Sequence, residues 1–105
     1  MEILIINFTL DGMTEQEYRQ VCNDVAPAFA AVPGLQSKVW LADGEANVYG
    51  GVYAFESDAD VERFLSSQLF ADIAAHPSLA DPVARRFHVL EEPTRVTNGL
   101  VPATA

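Results

Sequence analysis

Residues 48–55 constrain the fold more than any other segment, because they have the pattern of a strand with no polar face. One face carries an aromatic set and the other an aliphatic set: Tyr49, Gly51, Tyr53 and Phe55 against Val48, Gly50, Val52 and Ala54. A strand with one face in water shows clear polar alternation, which this segment lacks. The pattern therefore predicts burial on both faces, one under helices and the other under a second layer.

The first half of the chain predicts a strand, a helix and a hairpin. Apolar β-branched residues at 3–8 indicate a strand. Thr14 and Glu17 have the spacing of a capping box, and the amphipathic helix after them must end before Pro33-Gly34. Pro27 lies inside that helix and is expected to kink or shorten it. Alternation over residues 35–42, with Leu35 on the face opposite Trp40, predicts a strand that pairs with residues 47–55 through a short acidic turn.

The second half predicts helix and then strand. Ser57 has the position of an N-cap, and helical spacing from residue 58 is followed by a further helical stretch at 68–75. This stretch stops before His76-Pro77, because the residue before a proline avoids helical angles. The last strand is expected to run from Pro82 or Val83 to Leu90, with a loop-like tail after it.

The order of these elements, β-α-β-β-α-β, predicts an α+β domain with the ferredoxin-like fold. Two helices would cover one face of a four-stranded antiparallel sheet. A second copy of the chain is the simplest cover for the other face, since most oligomers are two-fold homodimers. We therefore expect a dimeric α+β barrel, with one domain at residues 1–97 and a flexible C-terminal tail at 98–105.

Charge and composition exclude several classes of partner. The chain has 15 acidic against 6 basic residues, a net charge of −9, so it lacks the basic stripe of a nucleic-acid binder and is disfavoured at anionic membranes. No segment has the ~18 uninterrupted apolar residues of a membrane span. Cys22 is the single cysteine, and no Cys/His cluster has zinc spacing, so we expect no metal site. A soluble cytoplasmic domain is expected.

Two segments carry a resemblance to a known family. They are residues 33–40, Pro-Gly-Leu-Gln-Ser-Lys-Val-Trp, and residues 50–55, Gly-Gly-Val-Tyr-Ala-Phe, supported by the strand end from Phe87 to Pro93. Over roughly residues 1–97 the chain resembles the YdhR-like monooxygenases of the dimeric α+β barrel superfamily, which includes the antibiotic-biosynthesis monooxygenases. The resemblance implies a homodimer without a tightly bound metal or flavin cofactor. It also implies oxygenase or related activity on a small aromatic ligand.

Oxygenation without a cofactor requires a base, a donor for the resulting anion and a dry aromatic pocket. His88 and Arg86 share a strand face, and a neighbouring guanidinium disfavours the charged form of histidine, so we expect His88 as base and Arg86 as anion stabiliser. Tyr53 is a candidate hydroxyl donor to substrate oxygen, or a buried tyrosine bonded to a carbonyl. These three are the predicted catalytic residues.

Four further residues are predicted to contact substrate, each with a structural alternative. Trp40 is a pocket wall or a core or interface aromatic, and Lys38, the only lysine, binds a substrate carboxylate or forms an ion pair. Asn7 interrupts an apolar strand, as a substrate contact or part of a buried network, and Tyr49 is a pocket or core residue. By contrast, His76 is expected to be solvent-exposed in a loop, and Cys22 an inert core thiol.

The sequence thus predicts a cofactor-independent monooxygenase that acts on a small planar phenol or quinol, in a pocket between sheet and helices walled by Trp40 and Tyr53. Two alternatives stay open within the same fold. One is a cyclase, isomerase or lyase, and the other is a dimeric protein that binds a small molecule without catalysis. The fold alone does not separate them, because different functions occur on such scaffolds.

Overall fold

The computed structural model describes residues 1–99 and contains four strands and four helices. In chain order they are β1 (Glu2–Leu10), α1 (Glu15–Ala30), β2 (Leu35–Asp43), β3 (Val48–Phe55), α2 (Asp58–Leu65), α3 (Gln68–Ala75), β4 (Leu79–His88) and α4 (Glu91–Val96). The strands form one antiparallel sheet in the order β2-β3-β1-β4. The predicted ferredoxin-like fold is confirmed. The predicted tail at 98–105 lies outside the described residues from position 100 onward and stays a prediction.

The core lies between the sheet and the helices. The side chains of Leu4, Ile6 and Phe8 in β1 lie on the same side of the sheet as the aromatic face of β3. Residues of the helices pack against both sets. The buried set is Leu4, Ile6, Phe8, Tyr18, Phe29, Tyr49, Tyr53, Phe55, Val61 and Phe64. Phe64 lies 5.2 Å from Tyr53 and 5.6 Å from Phe55, measured between ring centroids, so aromatic contacts hold α2 on β3. The aromatic face of residues 48–55 is therefore the helix-covered one.

The helix α1 begins as its sequence predicts and ends at Ala30, before Pro33-Gly34, as predicted. Thr14 Oγ1 accepts a hydrogen bond from the backbone N–H of Glu17, and the Glu17 carboxylate accepts from the backbone N–H of Thr14, which completes the capping box. Of the two effects expected of Pro27, a kink or a shortening of the helix, the shortening is wrong, because α1 runs on to Ala30. Proline removes one backbone hydrogen bond, but packing of the buried Phe29 on the sheet keeps the last turn helical.

Two β-bulges account for one wrongly predicted strand face, in β2, and one wrongly predicted strand boundary, in β4. Leu35 pairs with Phe55 and Ser37 with Ala54, so an extra residue in β2 turns Leu35 toward the helices, on the same face as Trp40. In β4, two residues, Asp81 and Pro82, stand between the positions that pair with Asn7 and Thr9. Asp81 takes a left-handed φ of 52° there. Proline is tolerated because β4 is an edge strand, so the strand starts at Leu79 rather than at position 82 or 83.

The C-terminal end of the domain also differs from its prediction. The strand β4 ends at His88, and Leu90 is the N-cap of the short helix α4 instead of the last strand residue. Pro93 occupies the first turn of α4, where its missing N–H removes no helical hydrogen bond. The expected loop after Glu92-Pro93 is therefore one and a half turns of helix.

The second face of the sheet carries no helix among residues 1–99, and most of its side chains are apolar. They include Ile3, Ile5, Val39, Val52, Ala54, Val83 and Phe87, which pair across neighbouring strands on this face. Val39 is 57% exposed and Phe87 is 50% exposed in the single chain. The structure thus contains the unpartnered apolar layer that the two apolar faces of residues 48–55 predict.

Candidate functional site

The cavity between α1, α3 and the sheet has a volume of about 200 Å³. Its walls are mostly apolar, with a few titratable side chains among them. The lining residues are Phe8, Tyr18, Val21, Cys22, Val25, Phe29, Lys38, Trp40, Gly50, Tyr53, Leu69, Asp72, Ile73, His76 and Leu79. It is a concave, apolar site with few polar groups, which is the usual form of a small-molecule site.

The amino group of Lys38 lies among three aromatic rings in this cavity. Its Nζ is 3.4 Å from the ring centroid of Phe29, 3.4 Å from that of Trp40 and 4.6 Å from that of Tyr53. Trp40 and Phe29 themselves pack edge to face at 5.3 Å between ring centroids. Within residues 1–99, Lys38 forms no salt bridge. The single lysine of the chain is thus surrounded by ring faces instead of carboxylates.

Burial in this site lowers the pKa of Lys38 to about 7, because the charged ammonium loses its hydration, and the neighbouring Cys22 acts weakly in the opposite direction. The ring faces also favour the ammonium through cation–π attraction. Burial raises the pKa of the Cys22 thiol, and that of the Tyr18 and Tyr53 hydroxyls. At neutral pH the thiol and both phenols keep their protons, so the amine is the group in this cluster that accepts one.

Glycine at two consecutive positions of β3 makes room for this arrangement. A Cβ on Gly51 would lie 2.9 Å from Lys38 Cε, so the absence of a side chain leaves space for the lysine stem. Gly50 has a φ of 145°, and a Cβ there would lie 1.9 Å from the carbonyl oxygen of Ile6. Only glycine fits at position 50 without moving the backbone of β1.

His76 and Asp72 line the cavity from α3 and from the turn that follows it. The Nδ1 atom of His76 accepts a hydrogen bond from the backbone N–H of Ser78 at 3.1 Å, which assigns the proton of the neutral ring to Nε2. Asp72 accepts a hydrogen bond from Gln68 at 2.7 Å. The expectation of an exposed His76 is wrong, because the residue is half-buried and lines the cavity. The feature of the sequence that could have indicated this placement is the position of His76 directly after an amphipathic helix.

The structure brings together three of the seven predicted site residues: Lys38, Trp40 and Tyr53. Their neighbours Phe29, Tyr18 and Cys22, all from α1, are not among the predicted site residues. Because Lys38 and Tyr53 are directly paired across β2 and β3, the hairpin itself fixes the amine beside the tyrosine ring. The predicted pocket between sheet and helices, walled by Trp40 and Tyr53, corresponds to this cavity.

Arg86 and His88 lie away from this cavity, in a surface depression on β4. Two strands separate β4 from β2, a distance of roughly 14 Å across the sheet. Arg86 forms ion pairs with Asp58 and Glu62 of α2, which raise the pKa of its guanidinium. His88 Nδ1 is 2.6 Å from the carboxylate of Glu2, and its side chain is 87% exposed. The imidazole of His88 thus lies beside a carboxylate, whereas the sequence predicts that the neighbouring Arg86 guanidinium disfavours its charged form.

Asn7 and Tyr49 also lie outside the cavity lining. The side-chain amide of Asn7 donates to the backbone carbonyl of Tyr49 at 3.3 Å. The hydroxyl of Tyr49 donates to Glu15 at 2.8 Å, and its ring packs against Tyr18 with 5.2 Å between centroids. Both contacts are structural, since they join β1 to β3 and β3 to α1. Their predicted substrate contacts remain untested.

Among residues 1–99, no three His, Cys, Asp or Glu side chains converge on a point where they could hold a metal ion. In the same part of the chain, no helix is long and apolar enough to cross a membrane.

Comparison with solved structures finds the same fold in several proteins. A mutant of SnoaB, a cofactor-independent oxygenase from Streptomyces nogalater, superposes with a TM-score of 0.67 at 22% identity, over 86% of this chain and 94% of that chain. The heme-degrader MhuD from Mycobacterium tuberculosis, with two hemes in its active site, gives 0.70 at 19% identity, over 88% and 98%. A dimeric ferredoxin-like protein of unknown function from Thermobifida fusca gives 0.66 at 24%, over 85% and 92%. At these identities the likeness shows the fold.

Sequence comparison identifies the family. No curated protein matches the chain. The model of the family described as "Putative mono-oxygenase ydhR" matches residues 3–100, nearly the whole chain, which confirms the resemblance carried by residues 33–40 and 50–55. The chain therefore belongs to the ydhR family and is an enzyme of the monooxygenase type.

Proposed function

We propose that the chain is a cofactor-independent monooxygenase, and that it oxygenates a small planar phenol or quinol in the cavity around Lys38. The observation that carries the proposal is the amino group of Lys38, which lies among three aromatic rings in an otherwise apolar cavity. An amine in such surroundings is a base that works near neutral pH. The ring centroids of Phe29 and Trp40 each lie 3.4 Å from its nitrogen.

In the first step the free amine of Lys38 takes a proton from the substrate, either from a phenolic oxygen or from the activated CH₂ of its keto form. The product is an ammonium beside a delocalised substrate anion. The buried ammonium loses hydration free energy. Attraction to the new negative charge and to the three ring faces offsets this loss. A bound anion therefore stabilises the charged lysine more than a neutral substrate does, which favours the proton transfer.

In the second step the substrate anion supplies the electrons that reduce dioxygen. One electron passes from the anion to O₂, and the two radicals join in a carbon–oxygen bond. The resulting peroxide takes its proton from the Lys38 ammonium. Loss of water from this hydroperoxide, with its remaining C–H hydrogen, leaves a carbonyl group. The balance is R₂CH₂ + O₂ → R₂C=O + H₂O, so the reaction needs no external reductant.

Two hydrogen-bond donors near the amine would hold substrate oxygens during this sequence. Nε2–H of His76 is left free by the Ser78 contact at Nδ1, and the Tyr53 hydroxyl keeps its proton because burial raises its pKa. Both residues line the cavity. Their contribution resembles that of an oxyanion hole, in which each donor is worth about 10²–10³ in kcat.

The test is oxygen uptake with a panel that contains single-ring phenols and quinols as well as larger anthrone-like phenols, comparing wild type with Lys38→Met and His88→Ala. We expect Lys38→Met to reduce kcat by about 10²–10⁴, the usual contribution of a general base. Arg63→Met, which removes an exposed cation from α2, is the matched control and should leave the rate unchanged. Full activity of Lys38→Met with a good substrate would refute the assignment, and loss in His88→Ala alone would move the site to β4.

The same assay separates the two alternative functions. Substrate conversion that persists without oxygen and depends on Lys38 supports a cyclase, isomerase or lyase. Tight binding of an aromatic ligand without chemical change supports a binding protein. Either result would contradict the oxygenase proposal while leaving the cavity as the ligand site.

The proposal includes a homodimer in which the open sheet faces of two copies pack together. The apolar face that contains Val39, Val83 and Phe87 supports it, since such a surface is rarely left in water. The dimeric protein from Thermobifida fusca has the same fold. The active cavity lies on the opposite, helix-covered side of the sheet, so each copy would retain its own.

A further inference from the structure

Lys38 has the surroundings of a nucleophilic amine as well as those of a base. Its side chain lines the cavity under α3 and also a second depression beside the C-terminal end of α1. No salt bridge within residues 1–99 holds it in one position. It is also the only lysine in the chain, so its chemistry can be followed without interference from other lysines.

We propose that Lys38 captures small aromatic aldehydes and ketones as a covalent imine inside this cavity. The amine lone pair forms a C–N bond with the carbonyl carbon while the carbonyl π pair moves to oxygen, and one proton passes from nitrogen to oxygen to give a carbinolamine. The hydroxyl then takes up a proton and leaves as water, which gives an iminium, and the iminium nitrogen releases its last proton to give the imine. The balance is R–NH₂ + O=CHAr → R–N=CHAr + H₂O, without an oxidant or reductant.

The aromatic walls favour each stage of this addition. Addition needs the unprotonated amine, and burial among Phe29, Trp40 and Tyr53 favours that form. Loss of the hydroxyl passes through a positively charged iminium, which the same three ring faces stabilise by cation–π attraction. The Tyr53 hydroxyl, which stays protonated at neutral pH and lines the same cavity, is a candidate to protonate the leaving oxygen.

The size and charge of the cavity select the carbonyl compound. Its volume of about 200 Å³ is below the ~300–1,000 Å³ of sites for drug-sized ligands, so it suits a single substituted ring. The titratable groups that line the cavity with the amine are Tyr18 and Cys22 from α1, Tyr53 from β3, and Asp72 and His76 at the α3 end. Asp72 is the acid of this set, so a neutral aldehyde is favoured over a carboxylated one.

Imine formation does not depend on the oxygenase reaction, because it needs the amine and the cavity but neither oxygen nor an oxidisable substrate. It is tested under anaerobic conditions with the full chain, 4-methylbenzaldehyde as probe and cyanoborohydride to trap the imine as a secondary amine. Peptide mass mapping separates Lys38 from the N-terminal amine of Met1, which also reacts.

The internal reference is Arg63→Lys, which adds an ordinary exposed amine to α2. At pH 7 we expect Lys38 to be labelled at least tenfold faster than the new amine at position 63, because an ordinary lysine is almost wholly protonated there. Butanal, which has no ring, should lose most of this difference. An excess of 4-methylphenol should slow labelling at Lys38 and leave the N-terminus unaffected.

Labelling of Lys38 no faster than that of position 63, or no protection by 4-methylphenol, would overturn the proposal. Lys38→Arg retains the cation and the length of the stem and should show no label in the cavity. If that variant fails to fold, the comparison of the two amines within Arg63→Lys still decides the question. Oxygen uptake measured separately shows whether the proposed monooxygenase function stands or fails independently.

Discussion

At the scale of single residues, two opposing interactions govern Lys38. Burial removes hydration from its ammonium, and the ring faces of Phe29 and Trp40 return part of that free energy. The stem fits because position 51 has no side chain. The cavity therefore contains an amine whose protonation lowers the stability of the folded chain. Its neutral form is favoured for the same reason.

The first prediction concerns the dependence of stability on pH. The pKa of Lys38 is about 7 in the folded chain against an ordinary value of 10.5, so below pH 7 both states bind the proton and the cost of burying the charge is fully present. Between pH 7 and 10.5 the unfolded state binds more protons, and stability rises with pH. Lys38→Met should thus be more stable than wild type by about 1–3 kcal/mol at pH 6, on the scale of about 1.4 kcal/mol per pKa unit.

Urea unfolding of wild type and Lys38→Met at pH 6, 8 and 10 measures this difference. It should shrink as the pH rises, because wild type recovers the cost while the methionine variant does not titrate. A difference that stays constant across this range would contradict a lowered pKa for Lys38.

A second prediction concerns Gly51. Gly51→Ala places a methyl group within 2.9 Å of Lys38 Cε, so the lysine stem must shift away from the rings. We expect a pKa of Lys38 closer to its ordinary value and a rate of oxygen uptake about tenfold lower at pH 7, with folding retained. Val52→Ala, on the open face of the same strand, is the control and should leave the rate unchanged. An unaltered rate in Gly51→Ala would argue against the lysine as the working group.

The sequence predicts some of these residues and misses others for a physical reason. Lys38, Trp40 and Tyr53 stand out because one hairpin brings them to one face, and hairpin register follows from alternation. Phe29 and His76 reach the same cavity from α1 and α3, and how helices lie over a sheet depends on packing that local patterns do not encode. His88 and Arg86 share a strand face, but the sheet order places that strand at the opposite edge from Lys38.

At the scale of elements, helix α1 connects the fold to the site. Its N-terminus is fixed by the Thr14 and Glu17 capping box, and its inner face carries Tyr18, Cys22 and Phe29 to the cavity. Thr14→Ala removes the hydrogen bond from the backbone N–H of Glu17 to Thr14 Oγ1. The hydrogen bond from the backbone N–H of residue 14 to the Glu17 carboxylate is kept. We expect a loss of about 1 kcal/mol in the free energy of unfolding.

Urea unfolding checks this value, with Thr14→Ser as the matched variant that keeps the capping oxygen and should lose little. Equal destabilisation by serine and alanine would show that the methyl group of Thr14, rather than its cap, stabilises α1.

Element boundaries are least predictable where proline stands. Pro27 reads as a helix breaker, Pro82 as a strand boundary and Pro93 as the start of a loop. Each is tolerated for a nonlocal or positional reason: packing of Phe29, an edge strand with a bulge, and the first turn of α4. Capping signals such as Thr14 and Ser57 are predictable because they act within four residues.

At the scale of the whole molecule, the apolar open face of the sheet and the high net negative charge oppose each other. Hydrophobic burial favours pairing of two sheets, while a charge of −9 on each copy repels. The open face carries Arg85 beside Val83 and Phe87, so it is less acidic than the chain as a whole. We therefore expect sheet-to-sheet pairing to prevail at physiological salt.

Phe87→Glu should convert the proposed dimer to a monomer, because it places a charge within an apolar contact. Sedimentation at micromolar concentration measures the change, and wild type should sediment as a dimer. Val96→Glu, at an exposed apolar position on α4, is the control and should remain dimeric. A wild-type chain that sediments as a monomer would contradict the predicted barrel.

The base and imine chemistry of Lys38 both require an amine that is substantially unprotonated at neutral pH, and a direct NMR titration of that amine tests this requirement. Because Lys38 is the only lysine, selective ¹³C and ¹⁵N lysine labelling gives a single side-chain signal to follow from pH 5 to 11. Since burial lowers the pKa to about 7 and the ring faces act against it, we expect a midpoint well below 10.5 and closer to 7. A midpoint at or above 10.5 would mean that the rings hold a permanent cation, and the base and imine chemistry of Lys38 would both be refuted.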